Sequence, residues 1–171
     1  MPSVILTDER GKPTGTADLL EAHRLPGKLH KAFSVYVFRQ SRSEILIQKR
    51  GEEKMLWPQI WANTCCSHPR DAETPVQAGQ RRLTEELGFS CKLKSSGSFV
   101  YRAVDPTGRG VEHEHVTVLV GTVGDDAVIT PNPAEVADVQ WMSIDTLRKD
   151  MKKHPAAYAP WLHLGLPIAL K

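Results

Sequence analysis

Two adjacent thiols and an imidazole lie within six consecutive residues, from Asn63 to His68, which read NTCCSH. Such a group can form a metal site, a disulfide, a nucleophile or part of a packed core. The chain contains three cysteines, an odd number, and two of them, Cys65 and Cys66, are neighbours. A disulfide framework is therefore not expected, and the pattern predicts free thiols in a reducing cytoplasm.

Other residues of metal-binding type lie far from this stretch. Glu112 and Glu114 alternate in a segment with strand character, so both point to one face. Two carboxylates beside apolar residues repel each other unless a cation lies between them or one holds a proton; the alternative is a solvated strand end. Together with His23, His30 and His68, these carboxylates would form a site for a divalent ion. Three imidazoles favour Zn²⁺, Mn²⁺ or Fe²⁺ over Ca²⁺, and a set of five ligands lets Mn²⁺ or Mg²⁺ compete with Zn²⁺.

A second concentration of carboxylates flanks a segment with helical spacing, Pro75 to Leu87. Glu73 lies eight residues before Arg81, and Glu85 and Glu86 follow one turn later. Carboxylates on a helix can hold Mg²⁺ against a substrate phosphate. The alternative is a solvent-exposed face of Arg–Glu pairs that contribute little to stability. The particular spacing favours the metal interpretation.

The elements that must position these residues are predicted to alternate between strands and helices, separated by Gly and Pro. Strands are predicted over residues 3–7, 31–39, 44–49, 97–103, 112–121 and 136–142. Helical segments are predicted over 19–23, 75–87, from Ser143 to about 151, and in the tail 155–170. Residues 8–15 are predicted to form a turn. The fold expected from this order is α+β, a mixed sheet flanked by helices in an α/β/α layered arrangement.

Composition limits the classes of function. The chain has 171 residues, is 40% hydrophobic and carries a net charge of +2, which does not indicate binding to nucleic acid or membranes. We expect one domain over residues 1–171, acting as a monomer. No signal peptide or membrane-spanning run of about 18 apolar residues is apparent, which again favours a cytoplasmic protein.

Residues 67–89 resemble the Nudix box, which reads G-x5-E-x7-R-E-U-x-E-E-x-G-U with U an aliphatic residue. Two residues depart from it: Ser67 stands where glycine is usual, and Arg82 stands where the hydrolases carry glutamate. In the hydrolases of this family, the glutamate cluster binds metals and activates water. The resemblance therefore implies the fold, and the loss of one glutamate argues against hydrolysis.

The Arg81-Arg82 pair and the preceding N-x-x-C-x-H-P motif resemble the type I isopentenyl-diphosphate isomerases of the Nudix superfamily. The resemblance extends over almost the whole chain through motifs that are weak singly and specific together. These are A-H and L-H at Ala22-His23 and Leu29-His30, W-P-x-x-W-x-N from Trp57, Y-R-A-x-D-P-x-G from Tyr101, E-x-E from Glu112, and P-W at Pro160-Trp161.

This resemblance implies a metal-dependent isomerase that converts isopentenyl diphosphate to dimethylallyl diphosphate in isoprenoid biosynthesis. A proton is added to C4, giving a tertiary cation at C3, and a proton then leaves C2. Cys66 would be the catalytic cysteine, and Glu114 would be both metal ligand and proton carrier, with either one delivering the first proton. Tyr101 would hydrogen-bond the proton path. Trp161 would present an aromatic face to the cation, although the residue alone would be read as core.

The resemblance also implies the binding residues. The expected metal ligands are His23, His30, His68, Glu112 and Glu114. Three basic residues are expected to contact the diphosphate, Arg50, Lys54 and Arg82, and Glu86 is expected to hold Mg²⁺ against it; without the family, Arg50 and Lys54 would be read as a solvated loop. Many relatives carry a lysine where this chain has Leu19, so we expect either that this phosphate contact is missing or that Arg24 or Lys28 replaces it.

Two other functions would explain part of the sequence. A Nudix diphosphohydrolase is the alternative enzyme, and Arg82 and the retained Cys66 argue against it. A metal-stabilised binding module would explain the ligands, but not Cys66, Tyr101 and Trp161 together.

Overall fold

The computed structural model describes residues 2–171, which contain one nine-stranded mixed sheet and four α-helices. The strands are β1 (Ser3–Thr7), β2 (Pro13–Asp18), β3 (His30–Arg39), β4 (Glu44–Arg50), β5 (Trp61–Ala62), β6 (Cys65–Ser67), β7 (Leu93–Val104), β8 (Val111–Val123) and β9 (Val136–Ser143). The helices are α1 (Leu19–His23), α2 (Pro75–Leu87), α3 (Ile144–Lys153) and α4 (Pro160–Ala169). A single 3₁₀ turn, Pro155–Ala157, precedes α4.

Strand β3 is the centre of the sheet. It pairs in parallel with β8 along its whole length, from His30 opposite Glu114 to Arg39 opposite Val123. Its other edge pairs antiparallel with β1, β6 and β4 in turn. A ten-residue strand with partners along both edges is buried on both faces, which explains its run of β-branched and aromatic residues.

Alternate residues of β3 supply two separate cores. Phe33, Val35 and Val37 pack on one face with apolar residues of α2. Tyr36 and Phe38 pack on the other face with α3 and α4. Helices therefore cover both faces of the sheet, and the predicted α/β/α layered fold is confirmed.

Helix α2 follows the sequence pattern closely, because its ends are set by local chemistry. Thr74 caps the N-terminus in a reciprocal pair of hydrogen bonds with Gln77, and Pro75 takes the first helical position. Gly88 ends the helix in the left-handed conformation, with φ of 70°. The predicted helix over 75–87 is confirmed.

Three strands were not expected from the sequence. Residues 13–18, which overlap the predicted turn, form β2, which is largely exposed and is held by its antiparallel pairing with β1. Strands β5 and β6 have two and three residues and no readable alternation of their own. Their extended form depends on β4 and β3, partners distant in the sequence.

The longest helix in the described part of the chain, α2, has 13 residues, and none of residues 2–171 lie in a helix with the length and apolar character required to cross a membrane.

Helix α4 crosses the sheet at Gly165, where the backbone lies against a buried tyrosine. A Cβ atom on Gly165 would lie 2.1 Å from the Tyr36 hydroxyl oxygen. We therefore expect Gly165→Ala to push α4 away from the sheet and lower the free energy of unfolding by about 1–3 kcal/mol, outweighing alanine's better helix propensity. Urea denaturation measures the change.

Leu164→Ala is the matched control, because Leu164 is the adjacent residue and its side chain is exposed. Its effect should stay within roughly 0.5 kcal/mol. A Gly165→Ala variant more stable than the parent protein would contradict the close packing of α4 on Tyr36.

Candidate active site

Five side chains that could hold a metal ion converge from four parts of the fold: His23, His30, His68, Glu112 and Glu114. One ligand atom of each lies within 4.8 Å of all the others. The parallel register of β3 and β8 sets His30 directly beside Glu114. The remaining histidines come from the end of α1 and from the residue after β6.

The imidazole rings are oriented by backbone carbonyls. His23 Nδ1 lies 2.7 Å from the Leu19 carbonyl oxygen, and His30 Nδ1 lies 2.8 Å from that of Lys28. A carbonyl only accepts, so Nδ1 carries the proton in each ring and Nε2 presents a lone pair when the ring is neutral. This orientation by an outer carbonyl is typical of metal-ligating histidines.

The Nε2 atoms and carboxylate oxygens point at one another. His30 Nε2 lies 3.1 Å from His68 Nε2, which lies 3.0 Å from Glu114 Oε1. Glu112 Oε2 lies 3.0 Å from His23 Nε2, yet this buried oxygen forms no hydrogen bond within residues 2–171. Clustered lone pairs and an unsatisfied buried carboxylate oxygen fit a shared cation.

The charge of the group leads to the same conclusion. Burial acts to lower the pKa of His23, but its contacts with Glu112 and the Leu19 carbonyl raise it to about 9. The surroundings therefore favour positive charge. Two carboxylates with three neutral imidazoles balance the charge of a divalent ion, and this mixture of N and O donors suits Zn²⁺, Mn²⁺ or Fe²⁺.

All but two of the expected site residues line a single cavity of about 190 Å³. The exceptions are His30, which is the fully buried member of the cluster, and Glu86. Cys66, Tyr101 and Trp161 line the cavity together with the metal-binding group and the three basic residues. One cavity therefore brings together a thiol, a cation site, an apolar wall and a positively charged end.

Cys66 is held in place by two polar neighbours. Its thiol donates to Asn63 Oδ1 at 3.0 Å, and the Ser34 hydroxyl lies 3.4 Å from its sulfur. Burial raises the pKa of the Cys66 thiol to about 12, against the lowering effects of Ser34, Arg50 and Asn63. At neutral pH the group is a thiol, which can give a proton but is not a nucleophilic thiolate.

Cys65 has a different environment. It is fully buried in the core beneath α2, and burial raises the pKa of its thiol well above the usual value. Cys65, Cys66 and Cys91 are all free thiols.

Tyr101 and Glu114 form a buried pair across β7 and β8, where they are direct register partners. The Tyr101 hydroxyl donates to Glu114 Oε2 at 2.8 Å, while Glu114 Oε1 faces the histidines. Burial and the nearby carboxylates raise the pKa of Tyr101, so it remains a donor. The Glu114 carboxylate therefore contacts the metal-binding group through one oxygen and the phenolic proton of Tyr101 through the other.

Trp161 forms an aromatic wall between the two ends of the cavity. Its ring packs edge-to-face against Trp57, with centroids 5.5 Å apart, and lies 6.3 Å from the ring of Tyr101. The Arg50 guanidinium lies 5.1 Å from the Trp161 ring and donates to the carbonyls of Leu56 and Trp57. The contact with Arg50 fixes the ring at the border of the charged end.

Glu86 lies beneath the basic end of the cavity and is almost fully buried. Its carboxylate accepts hydrogen bonds from Gln48, at 3.0 Å, and from Arg82, and lies 3.9 Å from Lys54. Within residues 2–171, the His/Glu group is the sole cluster of three or more metal-ligand residues, and Glu86 is outside it. Mg²⁺ at Glu86 would need further oxygens from a bound diphosphate.

Two carboxylates of the Nudix-like segment that the sequence associated with Mg²⁺, Glu73 and Glu85, instead pair with arginines and lie outside the metal-binding group. Glu73 accepts from Arg81 at 2.7 and 2.9 Å, and this pairing lowers the pKa of Glu73 to about 2.

Leu19 lines the cavity, whereas Arg24 lines a neighbouring depression and Lys28 pairs with Glu21. Neither Arg24 nor Lys28 lies in the wall of the cavity to replace the lysine that Leu19 displaces.

Three residues that support the site were not identified from the sequence: Ser34, Asn63 and Asp105. Asn63 and Asp105 lie within the W-P-x-x-W-x-N and Y-R-A-x-D-P-x-G motifs. Ser34 and Asn63 hold the Cys66 thiol, and Asn63 is itself fixed by donating to the carbonyls of Val35 and Cys65. Asp105 is buried and accepts from the Trp57 backbone N–H at 2.7 Å. Polar residues among apolar ones were the available signal, but each of the three has a partner 28 to 48 residues away in the sequence.

The family model for the NUDIX domain matches residues 28–163 of this chain. An isopentenyl-diphosphate Delta-isomerase from Nocardia farcinica is 45% identical over 166 residues, covering 97% of this chain and 93% of the relative. Isopentenyl-diphosphate Delta-isomerase 1 from Aromatoleum aromaticum is 42% identical over 159 residues, covering 93% of this chain and 87% of the relative.

Among solved structures, a protein from Deinococcus radiodurans superposes with a TM-score of 0.70 at 18% identity, covering 89% of this chain and 90% of the other. At this identity the likeness concerns the fold alone.

Removing one imidazole tests the metal-binding group directly. We expect His68→Gln to weaken binding of Mn²⁺ or Zn²⁺ at least about tenfold, because a lone pair is lost from the cluster. Calorimetric titration of the metal-stripped protein, supported by elemental analysis, gives the affinity. His113→Gln is the control, since His113 lies on the same strand as the two glutamates but outside the cluster. Equal metal affinity in both variants would contradict the assigned ligands.

Proposed function

The chain belongs to the Nudix family and, within it, to the isopentenyl-diphosphate Delta-isomerases, and from this premise we propose which of its residues carry the reaction. It converts isopentenyl diphosphate to dimethylallyl diphosphate. The observation that carries the assignment of roles is the single cavity in which Cys66, Glu114, Tyr101 and Trp161 lie beside the basic residues.

We assign the two proton-transferring groups to opposite edges of β3. Ser34 of that strand is the register partner of Cys66 on β6 along one edge and of Val118 on β8 along the other. Strands lie about 4.8 Å apart, so groups on β6 and β8 can act from different sides of a substrate seated over β3. Cys66 serves one face of the alkene, and Glu114 with Tyr101 serves the other.

The protonation states of the two groups favour the Cys66 thiol as the group that gives a proton and the Glu114 carboxylate as the group that accepts one. Cys66 is a protonated thiol and Glu114 a carboxylate hydrogen-bonded by a phenol. The two groups exchange roles when the reaction runs in reverse. A divalent ion, when bound by the His/Glu group, supplies positive charge that tunes the acidity of Glu114.

The walls of the cavity suit a short-lived carbocation. Trp161 and Leu56 are buried and present apolar surface, which excludes water that would otherwise capture the cation. The face of the indole ring attracts positive charge. The tertiary cation at C3 is therefore proposed to lie against Trp161.

Arg50, Lys54 and Arg82 are proposed to bind the diphosphate, since all three line the cavity and Lys54 and Arg82 share the carboxylates of Glu86 and Glu135. Glu86 is proposed to hold Mg²⁺ against the bound diphosphate. At the His/Glu site we propose Mn²⁺, Zn²⁺ or Mg²⁺. We further propose that the enzyme acts as a cytoplasmic monomer on this small molecule, without nucleic acid or membrane partners.

A diphosphohydrolase is not better supported. Arg82 stands at a position where the hydrolases carry a metal-binding glutamate, and its guanidinium is bound by Glu86 and Glu135. The substitution removes negative charge where a hydrolytic metal cluster needs it.

Isomerisation in deuterated water with added Mg²⁺ tests the assignment of Cys66. Deuterium should enter the dimethylallyl product with the parent protein, and Cys66→Ala should lower turnover by about 10²- to 10⁴-fold, because a positioned acid or base is lost. Cys91→Ala is the control, because Cys91 is a free cysteine that does not line the cavity. The turnover rate of this variant should be unchanged. A Cys66→Ala variant with undiminished exchange would refute the role given to the thiol.

Tyr101→Phe tests the phenol alone. We expect kcat to fall about ten- to hundredfold with little change in KM, because the hydrogen bond to charged Glu114 is lost while the ring stays. Tyr158→Phe is the control, since its hydroxyl donates to Asp150 instead. If the two variants had the same kcat, Tyr101 would have no part in the proton path.

A further inference from the structure

Glu135 places a carboxylate oxygen among the cations of the cavity. Its Oε2 atom accepts from Lys54 Nζ at 2.7 Å and also from Arg82 Nη2. One anionic oxygen thus bridges two cavity cations, which is the arrangement that an oxygen of a bound diphosphate would adopt. Glu135 does not itself line the cavity, although both of its partners do.

The backbone holds Glu135 at this position. Its carbonyl oxygen accepts from the Gly51 N–H at 2.9 Å, and a Cβ atom on Gly51 would lie 2.8 Å from that carbonyl group. The adjacent Val136 is the register partner of Arg50 on β4. On the other side, the Asn132 N–H donates to the Glu86 carbonyl at 2.8 Å. The segment is tied both to the loop that carries Lys54 and to helix α2.

Charge at this end of the cavity is nearly balanced. Arg50, Lys54 and Arg82 contribute three positive charges, and Glu86 and Glu135, which both contact Lys54 and Arg82, contribute two negative ones. The partly exposed Glu85 adds a third carboxylate, 2.8 Å from Arg82. The Glu135 side chain is 28% exposed, so water reaches the contact and the pairs can exchange. A diphosphate has more charge and more acceptor oxygens than one carboxylate, and can replace it on both cations.

We propose that Glu135 is a built-in competitor of the diphosphate: it holds Lys54 and Arg82 in the free enzyme and takes them back when the product leaves. The inference rests on the proposed assignment of these cations to the diphosphate. Substrate and product carry the same diphosphate, so a competitor lowers the affinity for both. Glu135 is thus a positioning residue that limits product retention.

The experiment measures binding of inorganic pyrophosphate by calorimetry at fixed free Mg²⁺, together with KM and kcat for isomerisation. Glu135→Gln keeps the shape of the side chain and removes its charge. We expect the Kd for pyrophosphate and the KM to fall about five- to tenfold, because two cations lose a competing anion at short range. We expect kcat to fall as well, since product leaves more slowly. Glu135→Asp keeps the charge and should lie nearer the parent protein.

Glu73→Gln is the matched control. This variant removes the negative charge that pairs with Arg81. Arg81 is next to Arg82 on α2 but does not line the cavity. Pyrophosphate affinity should not change in this variant. The melting temperature of each variant separates loss of folding from loss of competition.

Two failures can be told apart. A Kd for Glu135→Gln that is unchanged or higher than that of the parent protein would overturn the competitor role and leave Glu135 with a structural one. Lys54→Met tests the assignment beneath it and should raise the Kd. If Lys54→Met left the Kd unaltered, the diphosphate would not bind at these cations, and the proposed function of that end of the cavity would fail first.

Discussion

The parallel pairing of β3 with β8 is the constraint on which the rest of the molecule depends. Its register sets His30 beside Glu114, and the antiparallel pairing of β7 then sets Tyr101 on the other side of that carboxylate. On the opposite edge of β3, the short strand β6 brings Cys66 beside Ser34. A shift of one residue between β3 and β8 would turn Glu112 and Glu114 to the other face of the sheet, away from His30.

The two cores serve different purposes around that strand. Apolar residues of α2 cover one face of the sheet and fix the helix from which Arg82 and Glu86 project. The second core, beneath α3 and α4, is continuous with the apolar wall of the cavity, since Trp161 belongs to both. Packing of α4 against Tyr36 therefore determines where the aromatic wall lies. The same contacts therefore stabilise the fold and set the shape of the cavity.

Electrostatics divides the cavity into two ends. The His/Glu group carries negative charge and suits a divalent ion, whereas the end with Arg50, Lys54 and Arg82 suits a diphosphate. Buried carboxylates are costly unless paired, and nearly every carboxylate here has a partner. Glu86 and Glu135 both pair with Lys54 and Arg82, which holds these two cations close together.

Local signals in the sequence were sufficient for much of this protein. Thr74, Pro75 and Gly88 determine the ends of α2, because caps act within a few residues, and the alternation of Glu112 and Glu114 places both on one face of β8. The family resemblance carried by the motifs also indicated most of the residues that line the cavity. Tertiary structure alone decided that β2, β5 and β6 are strands, that Ser34 and Asn63 hold the thiol, and that Glu135 reaches Lys54. Ser34 and Cys66 are 32 positions apart, Lys54 and Glu135 are 81 apart, and Asn63 is held by the Val35 carbonyl, 28 positions away. No local propensity encodes contacts between segments so distant in the sequence.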